Sequence, residues 1–173
     1  MTFHGAGLVT EEIIRSVLGH FPTGVVIVTA GHDGEPAGMT LQSFMSLSLD
    51  PPLVLLSVAK TSASWPRISA GGRFLINILS ESQAALARQF SRSGTDKFAG
   101  VSYELDRRLG GPLLTGVSAW VDCRAEAEHD GGDHTIVVAR VLDAALPATD
   151  TGGTPPLIFH RSGFPRLSAD SRI

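Results

Sequence analysis

The apolar and polar positions of the chain change their spacing several times, and each spacing predicts an element of secondary structure. Behind Thr10, a good capping residue, Ile13, Val17 and Leu18 recur at helical intervals and predict a helix over about residues 11–20. From residue 25 onward, short β-branched and apolar runs predict strands instead. These runs cover residues 25–30, 38–41, 43–49, 53–58, 74–79, 134–142 and 157–160.

The clearest alternation lies over residues 117–128. Apolar side chains hold the odd positions, including Cys123, and charged side chains hold the even positions from Asp122 onward. Strict alternation predicts a strand with one buried face and one solvent-exposed face, so we expect Cys123 in the core and Asp122 in solvent. The polar, glycine-rich residues 129–133 then turn the chain into the strand 134–142, which completes a hairpin.

Two short helices are predicted between the strands. Ser62 or Ser64 can cap the first, and residues 80–83 form a capping box at the start of the second. In the second helix Leu86 and Phe90 share one face, four residues apart. Several short strands at close spacing, with helices only between them, predict a mainly β fold: an antiparallel barrel or sandwich with peripheral helices.

Length and composition narrow the class of protein. The 173 residues suit a single domain over 1–173, with a core at about 11–167 and loose ends at 1–9 and 168–173. One cysteine excludes an internal disulfide framework and a multi-thiolate metal site. A net charge of −3 argues against a nucleic-acid-binding protein. No apolar run reaches the roughly 18 residues of a membrane span, and no signal-peptide pattern opens the chain, so we expect a cytoplasmic protein.

Three polar segments carry candidate chemistry. Residues 129–134 contain two histidines and two aspartates that could bind a metal, although their spacing is equally that of a polar turn, and we expect no metal site. In residues 57–64, Lys60 and neighbouring hydroxyls lie between a strand end and a helix start, which suits either a phosphate or an ordinary capped helix. In residues 38–48 the polar side chains share one face, which is either a solvated surface or a wall against a heteroaromatic ring such as a flavin.

An ordered set of motifs extends over about residues 12–166. It comprises GHFPTGV at 19–25, GMTLQSF at 38–44, SLSLDPPLV at 46–54, GRFLINIL at 72–79, DKFAG at 96–100, GGDH at 131–134 and PLIFHR at 156–161. Together these motifs resemble the short-chain flavin reductases, the reductase components of two-component flavin-dependent monooxygenases. The resemblance implies an FMN-binding split barrel and a homodimer with flavin at its interface. It also implies oxidation of NADH or NADPH with reduction of FMN or FAD, which is released to a partner monooxygenase.

The resemblance further assigns roles to individual residues. His134 would orient the nicotinamide or supply a proton near neutral pH. The residues that would bind the flavin or the nicotinamide nucleotide are Gly38, Met39, Thr40, Leu41, Gln42, Ser43, Ser57, Ala59, Lys60, Thr61, Trp65, Phe90, Ser91, His160, Arg161, Ser162, Gly163 and Phe164. Lys97 receives no role, because the motif around it can equally form a capped turn.

Three other functions remain open on the sequence alone. The first is an enzyme of the pyridoxamine-phosphate oxidase type on the same fold, and the second is a non-catalytic flavin-binding or redox-sensing module. The third is a metal-dependent hydrolase that uses His129 and His134.

Overall fold

Most strands join one antiparallel sheet. A computed structural model describes residues 9–32, 35–147 and 154–167. The strands are β1 (Thr23–Gly24), β2 (Val26–His32), β3 (Glu35–Leu41), β4 (Phe44–Leu49), β5 (Pro52–Ala59), β6 (Arg73–Ile78), β7 (Tyr103–Glu104), β8 (Leu113–Leu114), β9 (Ala119–Gly131), β10 (His134–Ala145) and β11 (Ile158–Phe159). The helices are α1 (Glu11–Leu18), α2 (Trp65–Ser69) and α3 (Ala84–Ser91), with a 3-10 turn at Glu81–Gln83.

The order of the strands forces the main sheet to curve. Seven strands pair in the order β3-β2-β6-β9-β10-β5-β4, and two small sheets, β1-β11 and β7-β8, lie apart from it. The edge strands β3 and β4 stand at opposite ends of this order, yet only residues 42–43 join them. The sheet must therefore curl until its edges approach, although hydrogen bonds do not close them into a barrel. The predicted mainly β fold with peripheral helices is confirmed.

Strand β2 separates two hydrophobic clusters. Val26 and Val28 belong to the cluster inside the curved sheet, which α2 covers with Trp65. The intervening Val25 and Ile27 belong to a second cluster, built with α3 and the β7-β8 and β11 regions. Successive side chains of a strand point to opposite faces, so a strand buried on both faces needs a continuous apolar run. This explains why residues 25–30 show no alternation.

The prediction for Asp122 is wrong. The side chain is completely buried, and it binds the Arg73 guanidinium, with Nε 3.0 Å from the carboxylate. It also accepts a hydrogen bond from the Gly110 amide at 2.7 Å. A Cβ on Gly110 would lie 2.5 Å from the backbone nitrogen of Phe74, so the chain packs directly on the sheet here. This covering segment, invisible to a local alternation rule, buries the outer face of β9. Beyond residue 123, the alternation holds as predicted, and Cys123 lies in the core.

The predicted helix starts are confirmed, with differences in detail. The Ile13 amide donates to Thr10 Oγ1 at 3.3 Å at the start of α1. The capping box is present, but it opens the 3-10 turn that leads into α3. At α2, Ser64 holds the capping position without a side-chain cap, and Ser62 Oγ accepts the Trp65 amide at 3.2 Å.

Helix α1 buries none of its residues, so its apolar stripe faces outward. Within the described ranges, no helix is long and apolar enough to cross a membrane. The predicted loose ends, apart from Val9, lie outside the described residues, and the single-domain bounds stay a prediction.

Candidate functional site

A cavity of about 870 Å³ opens between β3, the loop before α2 and the segment that follows α3. We call it the cavity below. Hydroxyl groups and backbone dominate its wall. The predicted site residues that line it are Gly38, Met39, Thr40, Thr61, Phe90 and Ser91. The structure thus brings together residues from three of the sequence segments that were predicted to bind the cofactor.

Close packing of α3 on β3 sets the back wall of the cavity. Phe90 is fully buried, and a Cβ on Gly38 would lie 2.6 Å from Cε1 of that ring. Only glycine fits there without displacing a core side chain. Two residues along β3, Thr40 Oγ1 donates to the Ala87 carbonyl at 2.7 Å. The hydroxyl therefore joins the strand to α3, and its lone pairs remain available to accept.

The loop before α2 forms the facing wall, and Trp65 anchors it. The Trp65 ring packs edge-on against Phe74 in the core, with centroids 5.7 Å apart. Its Nε1 donates to Glu128 Oε1 at 3.2 Å. Ser62 lies 3.7 Å from the Met39 sulfur across the wall. Trp65, predicted to lie near the cofactor tail, positions this loop from behind and does not itself line the cavity.

Lys97 is the cavity residue to which sequence reasoning gave no role. Its Nζ donates to Ser64 Oγ at 2.9 Å and to the Gly38 carbonyl at 3.2 Å, so it links the two walls. Burial lowers the pKa of its ammonium group. The signal available in the sequence was the DKFAG motif, whose predicted turn is also present, since the Phe98 amide donates to Asp96 Oδ1 at 3.0 Å.

A second group of predicted residues lies at the β9-β10 turn, which we call the hairpin end (residues 129–134 with Ala59 and Lys60). His134 pairs in register with Ala59, and the Lys60 amide donates to the Asp133 carbonyl at 3.0 Å. The His134 Nδ1 lies 2.7 Å from Asp133 Oδ1, and Lys60 forms an ion pair with Asp130. These hydrogen bonds lower the pKa of both aspartates. None of the hairpin-end residues lines the cavity.

A third group forms the tight turn at residues 160–163. His160 and Gly163 exchange backbone hydrogen bonds of 2.9 and 3.0 Å. Between them Arg161 and Ser162 adopt positive φ angles of 48° and 65°, a region that side chains other than glycine rarely occupy. The Arg161 amide donates to the Gly19 carbonyl at 3.0 Å, which ties the turn to the end of α1.

Phe164 follows this turn and connects it to α3. The Arg88 guanidinium lies 4.9 Å from the centre of the Phe164 ring, and Phe159 contacts the same ring edge-on. The turn therefore sits on the side of α3 that carries Arg88, and like the hairpin end it does not line the cavity.

The remaining predicted residues lie near the junction of β3, β4 and β5. Ser43 Oγ donates to the Ser57 carbonyl at 2.5 Å and accepts its amide at 3.1 Å. Leu41 belongs to the interior cluster, and Gln42 is exposed in the two-residue link. In the described part of the chain, no three side chains of His, Cys, Asp or Glu converge in a way that could hold a metal ion. The roles assigned to the individual site residues stay predictions.

Comparison with known proteins identifies the family. Residues 18–168 match the family model described as flavin reductase like domain. The reductase subunit HsaB of a flavin-dependent monooxygenase from Rhodococcus jostii is 41% identical over 174 residues, covering 98% of this chain and 87% of the relative. The FMN reductase (NADH) SmoA from Agrobacterium fabrum is 44% identical over 154 residues, covering 89% and 84%.

A solved structure agrees. The NADH:FAD oxidoreductase SgcE6 from Streptomyces globisporus, in complex with NAD and FAD fragments, superposes with a TM-score of 0.85 at 36% identity, covering 96% of this chain and 100% of that one. Fold, motif order and overall similarity agree along nearly the whole chain, so the chain belongs to the flavin reductase family.

Proposed function

We propose that this protein uses NADH or NADPH to reduce FMN or FAD and that the reduced flavin passes to a partner monooxygenase. In balance, the nicotinamide loses a hydride, and the flavin takes up that hydride and one proton. The observation that carries the proposal is the cavity: its motif-bearing walls belong to a chain similar over its whole length to reductases named for FMN, FAD and NADH. This similarity favours the reductase over the pyridoxamine-phosphate oxidase and sensing alternatives.

The cavity lining suits a phosphorylated, hydroxyl-rich ligand. Thr61, Ser62 and Ser91 offer hydroxyls, Gly38 offers close approach to backbone, and Lys97 offers a positive charge. Such a set of donors and acceptors fits the ribityl chain and phosphate that FMN and FAD share. The bound flavin supplies the redox chemistry, since its ring accepts the hydride. The protein chain supplies binding and orientation.

We further propose that His134 orients the nicotinamide or supplies a proton. Asp133 holds the Nδ1 side of its ring at 2.7 Å, which favours a proton on that nitrogen. The other ring nitrogen, Nε2, is then left to face a ligand as acceptor or, after protonation, as donor. The side chain is 41% exposed, so a ligand can reach it from solvent.

A homodimer would bring the separated groups together. On α1 and just beyond it, Ile13, Val17, Leu18 and Phe21 are all exposed, an apolar face that a second copy can bury. The turn at 160–163 is tied to the end of this helix, so pairing through α1 would place that turn at the interface. We expect sedimentation at micromolar concentration to give the dimer mass, whereas a monomer mass would contradict this proposal.

The cellular setting follows from the proposed reaction. A reductase that hands flavin to a second protein must release it, so the flavin is bound reversibly. Both reactants are soluble metabolites, and we propose that the protein works in the cytoplasm, without binding nucleic acid or membranes.

Steady-state oxidation of NADH and NADPH with FMN, FAD and riboflavin in turn tests the proposed function. We expect oxidation that depends on added flavin and is unaffected by EDTA. Loss of activity in EDTA would favour a metal-dependent reaction. Absence of NADH and NADPH oxidation with every flavin would favour a non-catalytic flavin-binding module. Flavin that stays bound through exhaustive dialysis would contradict release to a partner.

A further inference from the structure

We propose that Lys97 binds the phosphate of the flavin in the cavity and is the residue by which this protein distinguishes FMN from riboflavin. The inference rests on the proposed function, because it names the ligand group that this lysine binds. It also departs from the sequence-based expectation, which gave the phosphate to Lys60 and left Lys97 without a role.

The two lysines differ in whether their charge is already compensated. Lys60 forms an ion pair with Asp130, and its side chain is 45% exposed. Lys97 forms no ion pair with any residue that the structure describes, and both of its hydrogen-bond acceptors are neutral. An ammonium group that is partly buried without a counterion costs free energy in the empty protein, and an anionic ligand offsets that cost.

Lys97 also retains a donor for the ligand. An ammonium group has three N–H donors. Ser64 Oγ and the Gly38 carbonyl occupy two of them at 2.9 and 3.2 Å. One N–H therefore remains, on a side chain that lines the cavity and is held in place by both of its walls.

Hydroxyl donors surround the same part of the cavity. Ser62, Ser64, Ser91, Ser93 and Thr95 all line it. A phosphate has several acceptor oxygens, so it can use these hydroxyls together with the ammonium group.

The other charged groups of the lining leave this corner positive. Glu35 is paired with Arg67 at 3.3 Å, and Asp96 accepts the Phe98 amide at 3.0 Å. Tyr103 is the remaining titratable residue of the lining. The acidic side chains that line the cavity thus already have partners, whereas Lys97 has no counterion.

The test compares the dissociation constants of FMN and riboflavin, measured by quenching of flavin fluorescence in the full chain. Riboflavin has the same ring and ribityl chain but no phosphate. We expect Lys97→Met to weaken FMN binding by about 10- to 100-fold, the loss typical of one hydrogen bond to a charged group. Riboflavin binding should change less than about threefold, and Lys97→Arg should keep most of the preference for FMN.

Two further variants locate the effect. Arg92→Met removes a positive charge next to the cavity from a residue that does not line it, and Lys60→Met removes the other lysine. A selective loss of FMN binding in Lys60→Met but not in Lys97→Met would overturn the proposal. So would equal losses for FMN and riboflavin in Lys97→Met, since a lysine that only links the walls would affect both ligands.

The design keeps this inference separate from the proposed function. If the wild type oxidises NADH with riboflavin and Lys97→Met does not alter the preference for FMN, only the inference fails. If the wild type oxidises NADH and NADPH with no flavin at all, the proposed function fails. Should Lys97→Met not fold, Lys97→Gln keeps a donor for the Gly38 carbonyl without the charge and decides the same question.

Discussion

The cavity and the hairpin end each contain one of the protein's two lysines, yet the surroundings of the two differ. At the hairpin end, charges are exposed and already paired: Lys60 with Asp130, and Asp133 with His134. In the cavity Lys97 has neutral partners, and burial lowers the pKa of its ammonium group. Both lysines lie in motifs that match the family, so the motifs alone do not distinguish them.

The difference shows that the position of a charge in sequence says little about its availability. An exposed ion pair is screened by water and contributes little to stability. A ligand that uses its lysine must also displace the carboxylate. A partly buried ammonium group without a counterion can attract an anion without breaking an existing pair. The following predictions test this contrast between the two regions.

The largest effect is expected where the cavity wall is also core. Phe90→Ala removes a fully buried ring, and we expect the free energy of unfolding to fall by about 3–5 kcal/mol in urea denaturation. The matched change at the hairpin end, His129→Ala, removes an exposed ring and should cost less than about 0.5 kcal/mol. Similar losses for the two variants would show that the cavity wall is not supported by the core as described.

Gly38→Ala tests how closely α3 packs on this wall. The new Cβ would lie 2.6 Å from the Phe90 ring, which is buried and has no room to move, so we expect a loss of about 1–3 kcal/mol in unfolding free energy. Gly24→Ala is the control, since no atom lies within 4 Å of the Cβ that it adds. An unchanged or raised stability of Gly38→Ala would mean that β3 and α3 are separated in solution.

The pH dependence of flavin binding separates the two lysines. Burial holds the pKa of Lys97 below its ordinary value of 10.5, so its ammonium group loses its proton at a lower pH than an exposed lysine does. As pH rises through that lowered pKa, FMN should lose affinity relative to riboflavin by about tenfold, whereas Lys97→Arg should keep its ratio. Using the ratio removes any titration of the flavin ring itself. A constant wild-type ratio up to pH 10.5 would contradict a role for Lys97.

The same pKa shift has a stability consequence of known sign. The folded protein binds this proton less tightly than the unfolded chain does, so the contribution of Lys97 to stability rises with pH between the lowered and the ordinary pKa. Lys97→Met should lack that rise, which thermal denaturation over a pH series can measure.

The smallest effect is expected at the hairpin end. Asp130→Asn removes an ion pair whose aspartate side chain is 77% exposed, and we expect the melting temperature to change by less than about 3 °C. Added salt should reduce even this difference, because it screens exposed charges. A larger shift that persists in high salt would indicate that Lys60 and Asp130 are not an ordinary surface pair.

Much of the fold follows from local patterns. The Thr10 cap, the capping box at Ser80 and the strands of the main sheet depend on residues near one another in sequence, and all are confirmed. Asp122 was misplaced because its burial depends on a chain segment that packs on β9 from the β7-β8 region. No spacing rule within β9 reports on what covers it.

The candidate site was predictable to a similar extent. The sequence indicated Gly38, Thr40, Thr61, Phe90 and Ser91, and the structure brings all five to one cavity. Lys97 received no role because its charge becomes informative only when its partners are known. Lys60 had an apparent helix start beside it, while its actual partner Asp130 lies 70 residues away in sequence.

The sequence by itself determined the classes of element, their order and the family, because propensity, capping and motif order are local properties. Only the tertiary structure decided which strand edges approach, which polar face is covered and which lysine lacks a counterion. These depend on contacts between residues distant in sequence, where burial and pairing set the energy of each charge. For this chain, that means two lysines of equal standing in sequence become one exposed ion-paired residue and one unpaired charge in a cavity.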